Sequence, residues 1–247
     1  MNIAPISVPS LALSFIPVVI VVYLMWHWHM KPGRALYAIS RMLLQLTLIG
    51  YVLVYIFRSD SALVICAVLA VMLVAAGWIA LNPVDLPKRK LFPLSFVSIV
   101  IGGTSTLVLI TQGVLRLDPW FQPNVMIPLA GMIFAASMTN ISLAIERLHA
   151  ELQNGHSFAT ARDTAFRASM IPVINSFFAV GLISLPGMMT GQILSGVSPL
   201  IAVRYQIMVM CMIFGAAGLS TACFLTLIRH VDAVHPVSAA SSSSPRA

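Results

Sequence analysis

Long stretches without charge alternate along this chain with short segments that hold nearly all of its lysines and arginines. No Asp, Glu, Lys or Arg occurs between Lys90 and Arg116 or between Arg167 and Arg204. A helix of about 20 apolar residues crosses the hydrocarbon core of a bilayer, which is about 30 Å thick. The pattern therefore predicts an all-α, polytopic membrane protein with about seven transmembrane helices, near residues 11–29, 36–57, 61–81, 93–114, 125–145, 170–196 and 201–228.

The composition agrees with a bilayer environment, because 59% of the residues are hydrophobic and only 9% are charged. A soluble protein with this composition would have too little polar surface. The 14 basic residues outnumber the 7 acidic ones, but they lie in short loops beside the spans, as in cytoplasmic loops of membrane proteins. We therefore expect contact with membrane lipid, no nucleic-acid partner, an N-terminus outside and a cytoplasmic C-terminus.

The two ends of the chain differ in character. The first ten residues carry no basic n-region and no small-residue cleavage site, so we expect the first apolar run to be a retained span. Residues 1–230 are predicted to form a single transmembrane domain. The Ser- and Ala-rich segment 231–247 is predicted to be a disordered cytoplasmic tail.

One connection, residues 146–169, is both long and charged. Leu148 and Leu152 share a helical face, which extends the fifth span by a turn or two, and Asn154-Gly155 favours the end of that helix. A second short helix is predicted to begin at Ser157, with an ion pair between Asp163 and Arg167, before the chain re-enters the membrane at residues 170–172. This loop is the natural docking element for a cytoplasmic partner, although an ordinary solvated loop remains an alternative.

Motifs of enzymes and of self-powered transporters are absent from the sequence. It contains no phosphate-binding P-loop, no HExxH, no GxSxG and no pair of intramembrane aspartates. Every acidic residue lies at the end of a span or in a loop, whereas ion-coupled carriers usually keep ionisable residues near the midplane. We therefore predict no enzymatic activity and expect the energy for transport to come from another subunit.

Polar and helix-breaking residues inside the membrane concentrate in the fifth and sixth spans. Pro128, Met132, Ala136 and Asn140 recur every four residues and share one helix face. The run 184–192 combines a proline with two glycines and polar side chains, and such an interruption frees backbone groups that neighbours or a water-filled cavity must satisfy. We predict a translocation path along these spans, with a purely structural kink as the alternative; its residues are Met132, Asn140, Pro186, Gly187, Met188, Met189 and Gln192.

Metal binding by these spans is an open question at this point. The thioethers of Met188 and Met189 are candidate soft ligands for a metal ion, but methionine also commonly fills gaps in helical cores. No acidic or histidine cluster in the sequence fixes a coordination number or a particular metal.

Several stretches closely resemble the FetB-like family of ABC transporter permeases. The most specific is the run 184–199, Ser-Leu-Pro-Gly-Met-Met-Thr-Gly-Gln-Ile-Leu-Ser-Gly-Val-Ser-Pro, followed by Val-Arg-Tyr-Gln-Ile at 203–207. The resemblance extends over residues 10–230 and includes segments 45–57, 127–133 and 167–172.

The family comprises bacterial iron-export permeases and plant relatives linked to aluminium tolerance. The resemblance implies that two copies of this chain pair in a bacterial cytoplasmic (inner) membrane with two separate ATP-hydrolysing subunits. Those subunits would bind ATP and Mg²⁺, whereas this chain binds no cofactor. Coupling to them is implied for Glu151, Gly155, Ala161, Arg162, Asp163 and Arg167.

The resemblance thus implies the permease subunit of an ATP-driven exporter of iron or another metal ion. Alternatives are an ABC permease for a non-metal solute, a secondary carrier or channel that works without ATP, and a membrane anchor that moves no solute.

Overall fold

A computed structural model describes residues 7–57, 61–84 and 86–231, and it confirms the all-α prediction. Within these ranges no β-strand occurs, only an isolated bridge between Val180 and Ser184. The predicted tail lies outside the described residues beyond Val231. The helices are α1 Val8–Leu13, α2 Ile16–His27, α3 Gly33–Ile56, α4 Ala62–Ile79, α5 Lys88–Ile99, α6 Ser105–Val108, α7 Pro123–Gln153, α8 Phe158–Ala179, α9 Gly187–Leu194 and α10 Pro199–Leu227.

The described residues divide into two compact units, one within residues 1–59 and one within residues 60–247. The first unit contains α1 to α3, and its turn between α2 and α3 places His29 at a positive φ of 57°. The second unit contains α4 to α10 and every residue of the predicted site.

Six segments of the described residues are long and apolar enough to cross a membrane. They are Val8–His27, Gly33–Ile56, Ala62–Ile79, Lys88–Val114, Pro123–Gln153 and Pro199–Leu227. The predicted count of seven is therefore not confirmed, and the predicted orientation of the ends stays a prediction.

The sixth predicted span, 170–196, is not among these six segments, and its interruption differs in position from the predicted run 184–192. α8 ends at Ala179, and Gly181 takes a positive φ of 83° in the turn that follows. The next helix, α9, has only 8 residues. The predicted interruption is present, but it begins before Pro186, because glycine readily adopts the left-handed conformation that the turn requires.

The fourth apolar segment is one helical run with two π-helical parts, Val100–Thr104 and Leu109–Val114, on either side of α6. Gly102 lies in the first part and contacts Ser220 of α10. The Ser220 hydroxyl donates to Ser137 Oγ of α7 at 3.0 Å, and the Ser137 hydroxyl donates to the Ala216 carbonyl at 3.2 Å. Small residues and interhelical hydrogen bonds are how membrane helices pack closely, so this cluster joins three helices at the centre of the unit.

α7 is the central helix of the second unit and packs against α4, α8 and α10. Its 31 residues continue the predicted fifth span from 145 to Gln153, as the pattern of Leu148 and Leu152 indicated. Both leucines are buried, so the end of α7 and the start of α8 form a packed helical hairpin.

Candidate translocation path and docking hairpin

The turn between α7 and α8, residues 154–157, forms as the sequence predicts. Asn154 caps the end of α7, and Gly155 takes a positive φ of 83°. The Ser157 hydroxyl then accepts a hydrogen bond from the Thr160 N–H at 3.3 Å and caps α8. We call α7 from Glu146, this turn, and α8 to Arg167 the docking hairpin.

The helix that begins at Ser157 is not short, which corrects the prediction. α8 has 22 residues and passes through Pro172, where the chain was predicted to re-enter the membrane. Proline is tolerated inside membrane helices when neighbouring groups satisfy the freed carbonyl. The α8 arm of the docking hairpin and the rest of α8, which includes the predicted point of re-entry, are therefore one continuous helix.

A buried carboxylate fastens the tip of the docking hairpin. The side chain of Glu151 is only 8% exposed and lies 2.6 Å from Arg147 Nη2 and 2.5 Å from His156 Nδ1. The His156 N–H also donates to the Glu151 carbonyl at 3.2 Å. Because a buried charge needs close partners, Glu151 holds the turn closed, while Gly155 and His156 remain exposed.

The other predicted coupling residues fall into two groups. Ala161 is fully buried, so it packs inside the docking hairpin. Arg162, Asp163 and Arg167 are exposed and line a groove of about 980 Å³ between α8 and α10. The predicted Asp163–Arg167 pair is not formed; Asp163 Oδ1 instead lies 2.7 Å from Nη2 of the adjacent Arg162. Contact of these residues with an ATPase subunit stays a prediction.

The predicted path residues separate in the structure. Pro186 and Met189 line a cavity of about 370 Å³ between α8, α9 and α10, which we call the path cavity. The other predicted residues are not among its lining: Met132, Asn140, Gly187, Met188 and Gln192. Asn140 is buried in α7, where its amide donates to the Ala136 carbonyl at 3.0 Å and its Oδ1 has no hydrogen-bond partner among the described residues.

α10 contributes path-cavity residues that the sequence reasoning missed. Gln206, Met210 and Cys211 line the cavity beside Met189. Gln206 is 6% exposed, and its Oε1 has no hydrogen-bond partner in the described part of the chain. A glutamine within the uncharged stretch between Arg204 and Arg229 was the available signal, because a polar side chain in a membrane helix usually has a partner or a use.

The lining chemistry of the path cavity is apolar with soft donors. Phe177, Leu185 and Ile207 supply hydrocarbon, while Met189, Met210 and Cys211 bring sulfur. Within the described residues, no group of three or more His, Cys, Asp or Glu side chains could hold a metal ion. Among the described lining residues, Gln206 alone carries a side-chain oxygen, whereas hard cations prefer several oxygen ligands.

The fold and these sites define a multi-pass α-helical membrane protein with a docking hairpin and a cavity beside an interrupted span. The chain belongs to the UPF0014 family, since the model of "Uncharacterised protein family (UPF0014)" matches residues 8–231. This confirms the family resemblance of the sequence.

Relatives come from bacteria and plants. The chain is 34% identical over 259 residues to the "Probable iron export permease protein FetB" of Escherichia coli, covering 95% of this chain and 96% of that protein. It is 37% identical over 215 residues to the "UPF0014 membrane protein slr1647" of Synechocystis, covering 80% and 82% of the two chains. It is 35% identical over 205 residues to the "Protein ALUMINUM SENSITIVE 3" of Arabidopsis thaliana, covering 76% and 73%. No solved structure matches the chain significantly.

Proposed function

We propose that this chain is the permease subunit of an ATP-driven transporter that exports iron or another metal ion across a bacterial cytoplasmic membrane. The observation that carries the proposal is the similarity to the "Probable iron export permease protein FetB" over 95% of this chain. In the proposed arrangement the C-terminus is cytoplasmic and two copies of the chain pair in the membrane.

The docking hairpin supports the need for a separate ATPase subunit. The sequence has no P-loop, so ATP and Mg²⁺ would be bound by that partner. The hairpin is a packed structure with Gly155 and His156 exposed at its tip, and Glu151 fixes the tip through close contacts with Arg147 and His156. A rigid tip is suited to transmitting a movement of the partner subunit to the permease, because the tip itself does not deform.

The path cavity bears on the form of the substrate. Thioether and thiol sulfur atoms prefer softer cations, and the cavity holds Met189, Met210 and Cys211. Ferrous iron is a softer cation than ferric iron, so we take ferrous iron as the first substrate to test.

Reconstitution tests the proposal directly. The chain and its candidate ATPase subunit would be purified together, placed in liposomes and assayed for movement of ferrous and ferric iron. We expect flux that requires both ATP and the second subunit. Flux without ATP would favour a secondary carrier, ATP hydrolysis without iron flux would favour another solute, and absence of any flux would favour an anchor.

Substitution of Met189 by leucine separates a sulfur contact from simple packing. Leucine has nearly the volume of methionine, and such exchanges usually cost less than about 1.5 kcal/mol of stability. We expect Met189→Leu to lower iron flux at least severalfold while leaving assembly intact. The matched control is Met212→Leu, because Met212 is buried elsewhere on α10 and does not line the cavity. If Met189→Leu and Met212→Leu both transported iron as fast as the unaltered chain, Met189 would contribute only packing.

A further inference from the structure

The α8–α10 groove has a charged end, whose residues were predicted to couple to an ATPase subunit, and an apolar part that no predicted step of transport explains. Its volume is about 980 Å³. Phe166, Met170, Leu219 and Leu225 supply apolar walls, and Arg162, Asp163 and Arg167 lie at the end near the docking hairpin. The two helices run antiparallel, since Gly218 lies beside Met170, and Phe177 and Phe214 have ring centroids 5.4 Å apart.

The length of the groove matches one leaflet of a bilayer. On α8 the lining extends from Arg162 to Ile174, and on α10 from Phe214 to Thr226. Each stretch covers twelve helical steps, which is about 18 Å at 1.5 Å per residue. One leaflet contributes about half of the roughly 30 Å hydrocarbon core, so an acyl chain that starts at the charged end fits along the groove.

The charged end of the groove carries a net positive charge that a ligand with one negative charge would neutralise. Arg162 Nε and Nη2 both contact Asp163 Oδ1, at 2.9 and 2.7 Å. The guanidinium has further N–H groups that could donate to a ligand. Arg167 is exposed and has no ion pair within the described ranges. Two guanidinium groups against one carboxylate leave one net positive charge beside an apolar groove.

We propose that the α8–α10 groove binds one anionic phospholipid, with its phosphate on Arg167 and Arg162 and an acyl chain between α8 and α10. Basic side chains at the membrane surface between transmembrane helices are suited to anionic headgroups, and arginine donates to phosphate in a bidentate manner. The proposal is independent of the transported substrate. It assigns Arg162 and Arg167 to lipid, whereas the family resemblance implies contact with an ATPase subunit.

Native mass spectrometry of the purified full-length chain tests this site. The chain in detergent would be titrated with phosphatidylglycerol and, separately, with zwitterionic phosphatidylcholine. We expect one phosphatidylglycerol to be retained in preference to phosphatidylcholine. The double variant Arg162→Gln/Arg167→Gln should retain phosphatidylglycerol about thirtyfold less tightly, from about fivefold for each basic side chain beside an anionic headgroup.

Two further variants make the result specific. Arg89→Gln/Lys90→Gln removes two exposed positive charges outside the groove, and we expect it to bind phosphatidylglycerol like the unaltered chain. Ala222→Trp places a large side chain in the apolar part of the groove, where Ala222 is exposed, and should also reduce retention at least fivefold. Size-exclusion chromatography and helical circular dichroism establish that each variant is folded.

Three outcomes would overturn the proposal. Equal retention of the two lipids would mean only a non-selective lipid annulus. Unchanged phosphatidylglycerol binding in Arg162→Gln/Arg167→Gln would show that the arginines do not hold the lipid. If the same variant also failed to bind the ATPase subunit, the arginines would be assigned to docking. Dissociation of a dimer by Ala222→Trp without a change in lipid binding would show that a second copy occupies the groove.

Discussion

Replacement of Gly102 by alanine is expected to cause the largest loss of stability of any single methyl addition to the second unit. A Cβ at this position would lie 2.5 Å from Ser220 Oγ and 2.8 Å from Ser220 Cα. The Cα belongs to the backbone of α10 and cannot rotate away, so the two helices must separate. Overpacking of a core usually costs about 1–3 kcal/mol, and we expect the upper end of that range or more.

Thermal unfolding and recovery of monodisperse protein in detergent would measure this effect. Gly113→Ala is the matched control, because Gly113 lies in the second π-helical part of the same run and its added Cβ would meet only Leu109 Cδ1 at 3.4 Å. We expect the control to resemble the unaltered protein. Gly102→Ala with unchanged stability would mean that the fourth apolar run and α10 do not pack as described.

Gly155→Pro should abolish coupling between the permease and its ATPase subunit while the membrane part stays folded. Gly155 has a φ of 83° and its N–H donates to the Leu152 carbonyl at 3.1 Å. Proline fixes φ near −65° and has no N–H. The turn must therefore change its conformation, and His156 can no longer contact Glu151. We expect stimulation of ATP hydrolysis by the permease to fall at least tenfold.

ATP hydrolysis by the reconstituted complex, followed with and without transported iron, is the measurement. Asn154→Ala is a suitable control, since Asn154 has an ordinary φ of −76° and its side chain is exposed. Coupled hydrolysis that survives Gly155→Pro would remove the docking role from this turn. Loss of the protein from the membrane in that variant would show instead that the turn is needed for folding.

Local signals in the sequence were sufficient for the ends of helices and for most membrane segments. Apolar length alone predicts both ends of most of the six long segments to within a few residues. The run from Asn154 to Ser157 contains the residues that form its turn and its helix cap. The physical reason is that backbone conformation and side-chain capping at these positions depend on neighbours in sequence.

Features that depend on contacts between distant residues were beyond sequence reasoning. The extent of α8 was missed because Pro172 suggests a boundary, whereas a packed environment lets the helix continue. Met189 lines the same cavity as Gln206 and Met210 because α9 packs against α10. Likewise, the i,i+4 spacing favours an ion pair between Asp163 and Arg167, but in the structure the Asp163 carboxylate pairs with the adjacent Arg162.

Because α8 is continuous, it connects the docking hairpin at its start with the path cavity near its end. Its 22 residues extend about 33 Å at 1.5 Å per residue, from the capped start at Ser157 to the turn at Gly181. Phe177, near the far end, lines the path cavity. A tilt of about 5° at the docking hairpin displaces the far end of a rod of this length by about 3 Å, which is comparable to the diameter of a water molecule. We therefore expect a small movement of the docking hairpin to change the width of the path cavity.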